Sequence, residues 1–148
     1  RRPPSSTLSS SSAASDVYKR QDFRSITTVE KAFEKCGYDP KATPDLSALP
    51  EQIRNALLSA YLLMVVFEAI NDGWQPDFTD RNQVRYFPWR AVSRSGLGFS
   101  YSDFGYDGGH AIAPVGSRLC TDSSMKALFI LEQFQDLWKT WLLGVKID

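Results

Sequence analysis

Val84-Arg85-Tyr86-Phe87-Pro88-Trp89-Arg90-Ala91-Val92 and, a few residues on, Leu97-Gly98-Phe99-Ser100-Tyr101-Ser102 decide how this chain is read. The second segment alternates large apolar with small polar side chains, the period of a strand with one face on a core. The first is rich in aromatic and β-branched residues. Its Pro88 lacks a backbone N–H and restricts it to an edge or bulged strand. Ser95-Gly96 is a tight turn that would join the two as a hairpin. Val115 to Thr121 is a third strand candidate, and Gly105 to Gly109 between them is expected as a loop.

Helical patterns lie on either side of this region. Thr27 as N-cap and Glu30 three residues later form a capping box, predicting a helix over Thr28–Cys36 that Gly37 ends in a left-handed cap. Pro50 suits the first turn of the next helix. Ile53, Leu57, Ala60, Met64 and Phe67 form an apolar seam along it, and Asn71-Asp72-Gly73 closes it. From Ala60 onward this helix is apolar all round, so that half is expected to be buried on several sides. A last helix is expected from Asp122 or Ser123 onward, with Ala127, Leu131, Phe134, Trp138, Trp141 and Val145 on its core stripe. The order α-α-β-β-β-α predicts an α+β domain, a small antiparallel sheet of about three strands packed against about three helices.

Residues 1–21 stand apart. Ser11-Ser12-Ala13-Ala14-Ser15-Asp16-Val17-Tyr18-Lys19-Arg20-Gln21 reads as a translation of the adapter and transposon-end DNA used to prepare sequencing libraries. Arg1-Arg2-Pro3-Pro4, then Ser5-Ser6-Thr7, match the flow-cell end of the same adapter, Ser5 being the one departure. The expectation is a non-native, disordered leader over 1–21 and a single domain over 22–148. The whole chain has 17 Lys+Arg and 17 Asp+Glu; setting aside Arg1, Arg2, Lys19, Arg20 and Asp16 leaves 13 and 16, a net charge of about −3. Such a domain exerts no general pull on phosphate backbones. Cys36 and Cys120 are isolated and read as reduced, packed thiols. The longest apolar run, Ala60 to Ile70, is broken by Glu68 and is shorter than a bilayer span. A cytoplasmic domain without membrane partner or cofactor is expected.

Four groups of residues carry possible chemistry. Asp103, Asp107 and His110 are metal-ligand types, but they sit in a Gly-rich loop at no recognised ligand spacing, and ordinary turn chemistry outweighs a metal site. Cys120 and His110 form a conceivable nucleophile–base pair, yet Cys120 lies in an apolar segment rather than the electropositive setting a thiolate needs. No metal site and no catalytic residue are therefore assigned. Aromatic residues from Trp74 to Tyr106 are interleaved with Arg81, Arg85, Arg90 and Arg94, a composition able to stack unpaired bases, although packing of a sheet on helices outweighs stacking. Arg118 stands inside an apolar strand candidate, suited to an anionic ligand or to pairing with a carboxylate such as Glu68.

Three segments, Gly73-Trp74-Gln75-Pro76-Asp77, Tyr86-Phe87-Pro88-Trp89 and Val115-Gly116-Ser117-Arg118-Leu119-Cys120, are together similar to a group of small uncharacterised proteins encoded by phages and prophages of gut Bacteroidales bacteria. Here Tyr86-Phe87 replaces a pair of tyrosines, and Thr121-Asp122 stands where Phe-Lys is usual. The resemblance implies a viral accessory protein of the bacterial cytoplasm and carries no activity with it. The expected function is a non-enzymatic binding module whose partner is a protein or a single-stranded nucleic acid. Its working surface is expected at Tyr86, Trp89, Arg90, Tyr101 and Arg118. A metal- or thiol-dependent hydrolase around Asp103, Asp107, His110 and Cys120 is the alternative, and a virion component a third.

Overall fold

Burial in this chain is organised around one long helix. The computed structural model describes residues 22–88, 105–107 and 118–144, so the leader, Trp89, Arg90, the Leu97–Ser102 segment, the Ser95-Gly96 turn and His110 lie outside the described residues. A 3-10 turn over Asp22–Ser25 leads into α1 (Val29–Cys36), followed by α2 (Glu51–Asn71). After β1 (Arg85–Phe87) and β2 (Gly105–Asp107) come α3 (Ser124–Gln133) and α4 (Gln135–Leu143). α2 packs against α1, α3 and α4.

The α+β expectation does not hold. The described residues are mostly helical, and their strand structure is one antiparallel pair of three residues each, not a three-stranded sheet. Arg85 faces Asp107, Tyr86 faces Tyr106 and Phe87 faces Gly105. The stretch expected as a loop therefore supplies β2. Of the expected third strand the described residues are 118–121, and among these Thr121 pairs with Tyr86, its N–H and carbonyl both bonded at 3.0 Å. β1 is thus bonded on both edges, which removes the edge position that was one of the two expected for it. Pro88, with no N–H to offer, follows its last residue. The large apolar surfaces find their partners between helices instead, which leaves little for a sheet to cover.

α1 begins one residue later than expected. Thr28 is its N-cap and accepts from the Lys31 N–H at 3.3 Å. Glu30 therefore falls one position short of closing a capping box. The far end is as expected: Gly37 sits at φ 70°, its N–H bonded to the Glu34 carbonyl and that of Tyr38 to Phe33, a Schellman cap. Pro50 is the N-cap of α2 rather than its first helical residue.

The core stripe of α2 also differs from the expected seam. Leu63, Val66 and Ile70 are fully buried with Phe67, whereas Ile53, Leu57 and Met64 are exposed. A helix half that is apolar all round carries no periodic mark of which stripe meets its neighbours, so packing decides. α2 is 21 residues long with a mean hydropathy of 1.6 over its most apolar window, long and apolar enough by length and composition to cross a membrane. Its C-terminal half is enclosed here by α1, α3 and α4, forming a core with Phe33, Ile130, Leu131 and Trp138.

The expected last helix is broken into two. Phe134 leaves helical geometry at φ −114°, ψ 36°. The indole Nε1–H of Trp138 donates to the Ile130 carbonyl at 3.3 Å, beside the break. Trp138 packs edge-on against Phe67 at 6.0 Å between ring centroids, and lies 5.9 Å from Trp141. Beyond the break α4 packs on α2, with Trp138 buried and Trp141 partly buried against the core.

Candidate binding cleft

The expected working surface comes apart. Trp89, Arg90 and Tyr101 are outside the described residues. Tyr86 is half-buried in the centre of β1, its backbone held on both sides. Arg118 lies exposed in a turn rather than inside an apolar strand, and Glu68, its suggested partner, accepts instead from the Tyr38 hydroxyl at 2.6 Å. Among the described residues the buried arginine is Arg85, 1 % exposed, one of the arginines interleaved with the aromatic residues. Its guanidinium lies 4.8 Å from the centre of the Phe78 ring and donates from Nη1 to the Asp77 carbonyl at 2.7 Å. It acts as a structural cation, stacked and hydrogen-bonded.

The thiol chemistry also loses its ground. Cys120 is fully buried, and that burial pushes its thiol up to about 11, only partly opposed by the nearby Arg85 charge. A protonated, enclosed sulfur is a poor nucleophile. Cys36 is likewise raised, first by burial and then by Glu68. Asp103 and His110 fall outside the described residues, and Asp107 is placed by backbone alone. Among the described residues no three His, Cys, Asp or Glu side chains gather as a metal site.

What the described residues do form is a cleft of about 690 Å³ where the C-terminal end of α2 meets the 3-10 turn, α1 and the start of α3. Its size is that of a small-molecule site. Phe23, Ile26, Ala69 and Ile70 supply an apolar wall, and Trp74 adds a half-buried indole. Asp72 turns the chain out of α2 with φ 49°, an αL cap that aspartate tolerates, and its carboxylate meets Lys35 of α1 at 2.8 Å. On the opposite side Lys126 of α3 meets Asp122 at 2.8 Å. Lys31 and Glu34 of α1 add one more charge of each sign. The lining is therefore balanced, three cations against three carboxylates.

Two of these polar groups are sunk well below the surface: Asn71 and Lys126 are each 7 % exposed. The Asn71 carboxamide is oriented by its own bond, Nδ2–H donating to the Cys120 carbonyl at 2.8 Å. That leaves Oδ1 on the other side of the group, buried and accepting no hydrogen bond among the described residues. Buried acceptors are almost always satisfied, because leaving one unpaired costs about 1–3 kcal/mol. Lys126 gives its ammonium to Asp122 in a one-turn pair and keeps its stem in the protein.

Nothing in the sequence marked this cleft. Its residues come from four separate stretches, and each alone is an ordinary surface lysine, helix-ending Asn-Asp pair or loop tryptophan. A lysine on the apolar side of α3, one turn after Asp122, was the single available hint. No protein-family model, no curated protein and no solved structure matches the chain.

Proposed function

We propose that this chain is a non-enzymatic binding module and that the cleft at the C-terminal end of α2 is its working site. The observation that carries the reading is the cleft itself, about 690 Å³ with an apolar wall of Phe23, Ile26, Ala69 and Ile70 and three cations against three carboxylates in its lining. A concave site of that size, with an apolar wall and a few convergent polar groups, is the usual form of a small-molecule site. In the setting the sequence resemblance implies, this is a phage-encoded accessory protein of the bacterial cytoplasm.

The arginine-and-aromatic sheet surface is a weaker basis for the same function, since Arg85 is spent internally and Tyr86 is pinned and half-buried. A fragment screen followed by amide and indole NMR shifts on the full chain tests the reading. Hits gathered at Asn71, Trp74 and Lys126 support it. Hits gathered elsewhere, or salt-sensitive binding of single-stranded DNA that leaves those signals unmoved, overturn it.

A further inference from the structure

We infer that this chain pairs with a second copy of itself through the outward face of α2 and the end of α4, the two α2 helices lying antiparallel about a two-fold axis at Tyr61. The face shares no lining residue with the cleft and does not depend on it. Ile53 and Leu57 stand one turn apart on α2, and Met64 continues the stripe two turns on. These three are 51 %, 47 % and 45 % exposed. α4 runs back along α2, with Trp138 beside Phe67 and Gly144 beside Gln52. Its exposed Leu142 and Leu143 therefore lie next to Ile53 and Leu57, across an open groove of about 430 Å³.

The order of residues along α2 selects a second copy as the occupant. Arg54 lies seven residues before Tyr61, and Glu68 seven residues after it. Seven residues are close to two turns, so both charges project along one edge of the apolar stripe. Leu57 and Met64 straddle the same centre. In an antiparallel pair about a two-fold axis, like edges meet. Leu57 then faces Met64 of the second copy, Arg54 faces its Glu68, and each contact is made twice. Met64 of the second copy reaches the groove between α2 and α4. Glu68 is exposed and takes the Tyr38 hydroxyl on one oxygen only, Oε1. Arg54 makes no ion pair among the described residues. Carboxylate and guanidinium on this edge also set the face against burial in lipid.

With Arg54 and Glu68 the apolar side chains present roughly 500 Å² per copy, hence about 1,000 Å² for the pair, the lower bound of a specific interface. Association is accordingly weak, with a dissociation constant on the order of 10–100 µM, and the dilute chain is single.

Sedimentation equilibrium of the full chain, from well below that range to well above it, provides the test. The weight-average mass should rise from one chain toward two and stop there. Leu57→Glu and Met64→Glu should each weaken association about tenfold or more, with unchanged far-UV circular dichroism because both positions are exposed. Arg54→Glu alone and Glu68→Arg alone should each weaken it about threefold or more, whereas the double variant, or an equal mixture of the two single variants, should recover it. A single chain at every concentration overturns the inference, as does association that Leu57→Glu and Met64→Glu leave unchanged. Charge reversals that weaken association without recovery in the double variant or the mixture overturn the antiparallel pairing.

Discussion

Replacing Asn71 by Asp exchanges one NH2 for one oxygen at the joint between α2 and the segment entering α3, with almost no change in volume. The native Nδ2–H donates to the Cys120 carbonyl at 2.8 Å in a residue only 7 % exposed. A carboxylate there would set oxygen against oxygen without water to separate them. The introduced group can escape by taking up a proton, and as a neutral acid it can again donate to Cys120. Its folded-state pKa is therefore raised above the unfolded value of about 3.9. A carboxyl raised in this way binds more protons folded than unfolded, so its contribution is fully present below that unfolded value and is lost as pH rises. Holding it protonated costs about 1.4 kcal/mol per pH unit above the unfolded pKa, hence about 4 kcal/mol at pH 7. The expected loss of stability relative to the native chain is about 1 kcal/mol at pH 4 and about 3–4 kcal/mol at pH 7. Asn71→Leu, which removes the donor without adding a charge, should cost about 1–3 kcal/mol at both pH values. Urea unfolding followed by far-UV circular dichroism, each variant against the native chain at each pH, measures these differences. An Asn71→Asp penalty that is the same at pH 4 and pH 7 would refute the geometry at Cys120.

Leu63→Ala should cost about 2–5 kcal/mol in chemical unfolding, the range for a fully buried leucine, whereas exposed Leu57→Ala should stay within about 0.5 kcal/mol; equal losses would restore the expected seam in place of the observed stripe. Trp138→Phe keeps most of the packing on Phe67 and removes the donor to the Ile130 carbonyl, which still accepts from the Phe134 N–H at 3.2 Å. A loss of about 1 kcal/mol, a Tm lower by roughly 4 °C, is expected by calorimetry, and an unchanged Tm would count against the indole's part at the helix break. The Cys120 thiol is raised from 9.0 to about 11, so folding favours its protonated form: that stability is fully present below pH 9 and lost as pH climbs toward 11. Cys36 and Tyr38 are raised in the same direction. Cys120→Ala should accordingly flatten the alkaline loss of stability, and native Cys120 should resist a thiol reagent until the chain unfolds; rapid native-state labelling at pH 8 would contradict its burial.

The helices were legible where the chain writes both a stop signal and a period. Gly37 closes α1 and Asn71-Asp72-Gly73 closes α2 because glycine, and more rarely aspartate, accept the left-handed backbone that unwinds a helix. The start of α1 was missed by one residue because Thr27 is nearly as able to cap as Thr28. The sheet was over-read. Alternation reports that a segment can present two faces, and it says nothing about whether a partner strand comes to meet it. Among the described residues of Val115 to Thr121, Thr121 forms an isolated bridge to Tyr86 while Arg118 is exposed in a turn.

By itself, the sequence determined that this is a chain with helix-ending signals at Gly37 and Asp72, enough apolar surface for one core, and a tryptophan-bearing last helical segment. Only the tertiary structure decided which stripe of α2 is buried, that the last helix breaks at Phe134, that Arg85 rather than Arg118 is the enclosed cation, and that Asn71 and Lys126 share a cleft. The reason is physical. Caps and turns are set by local backbone preference, within reach of a few neighbouring residues, whereas burial of a given stripe or charge is settled by residues tens of positions away, such as Asn71 meeting the carbonyl of Cys120.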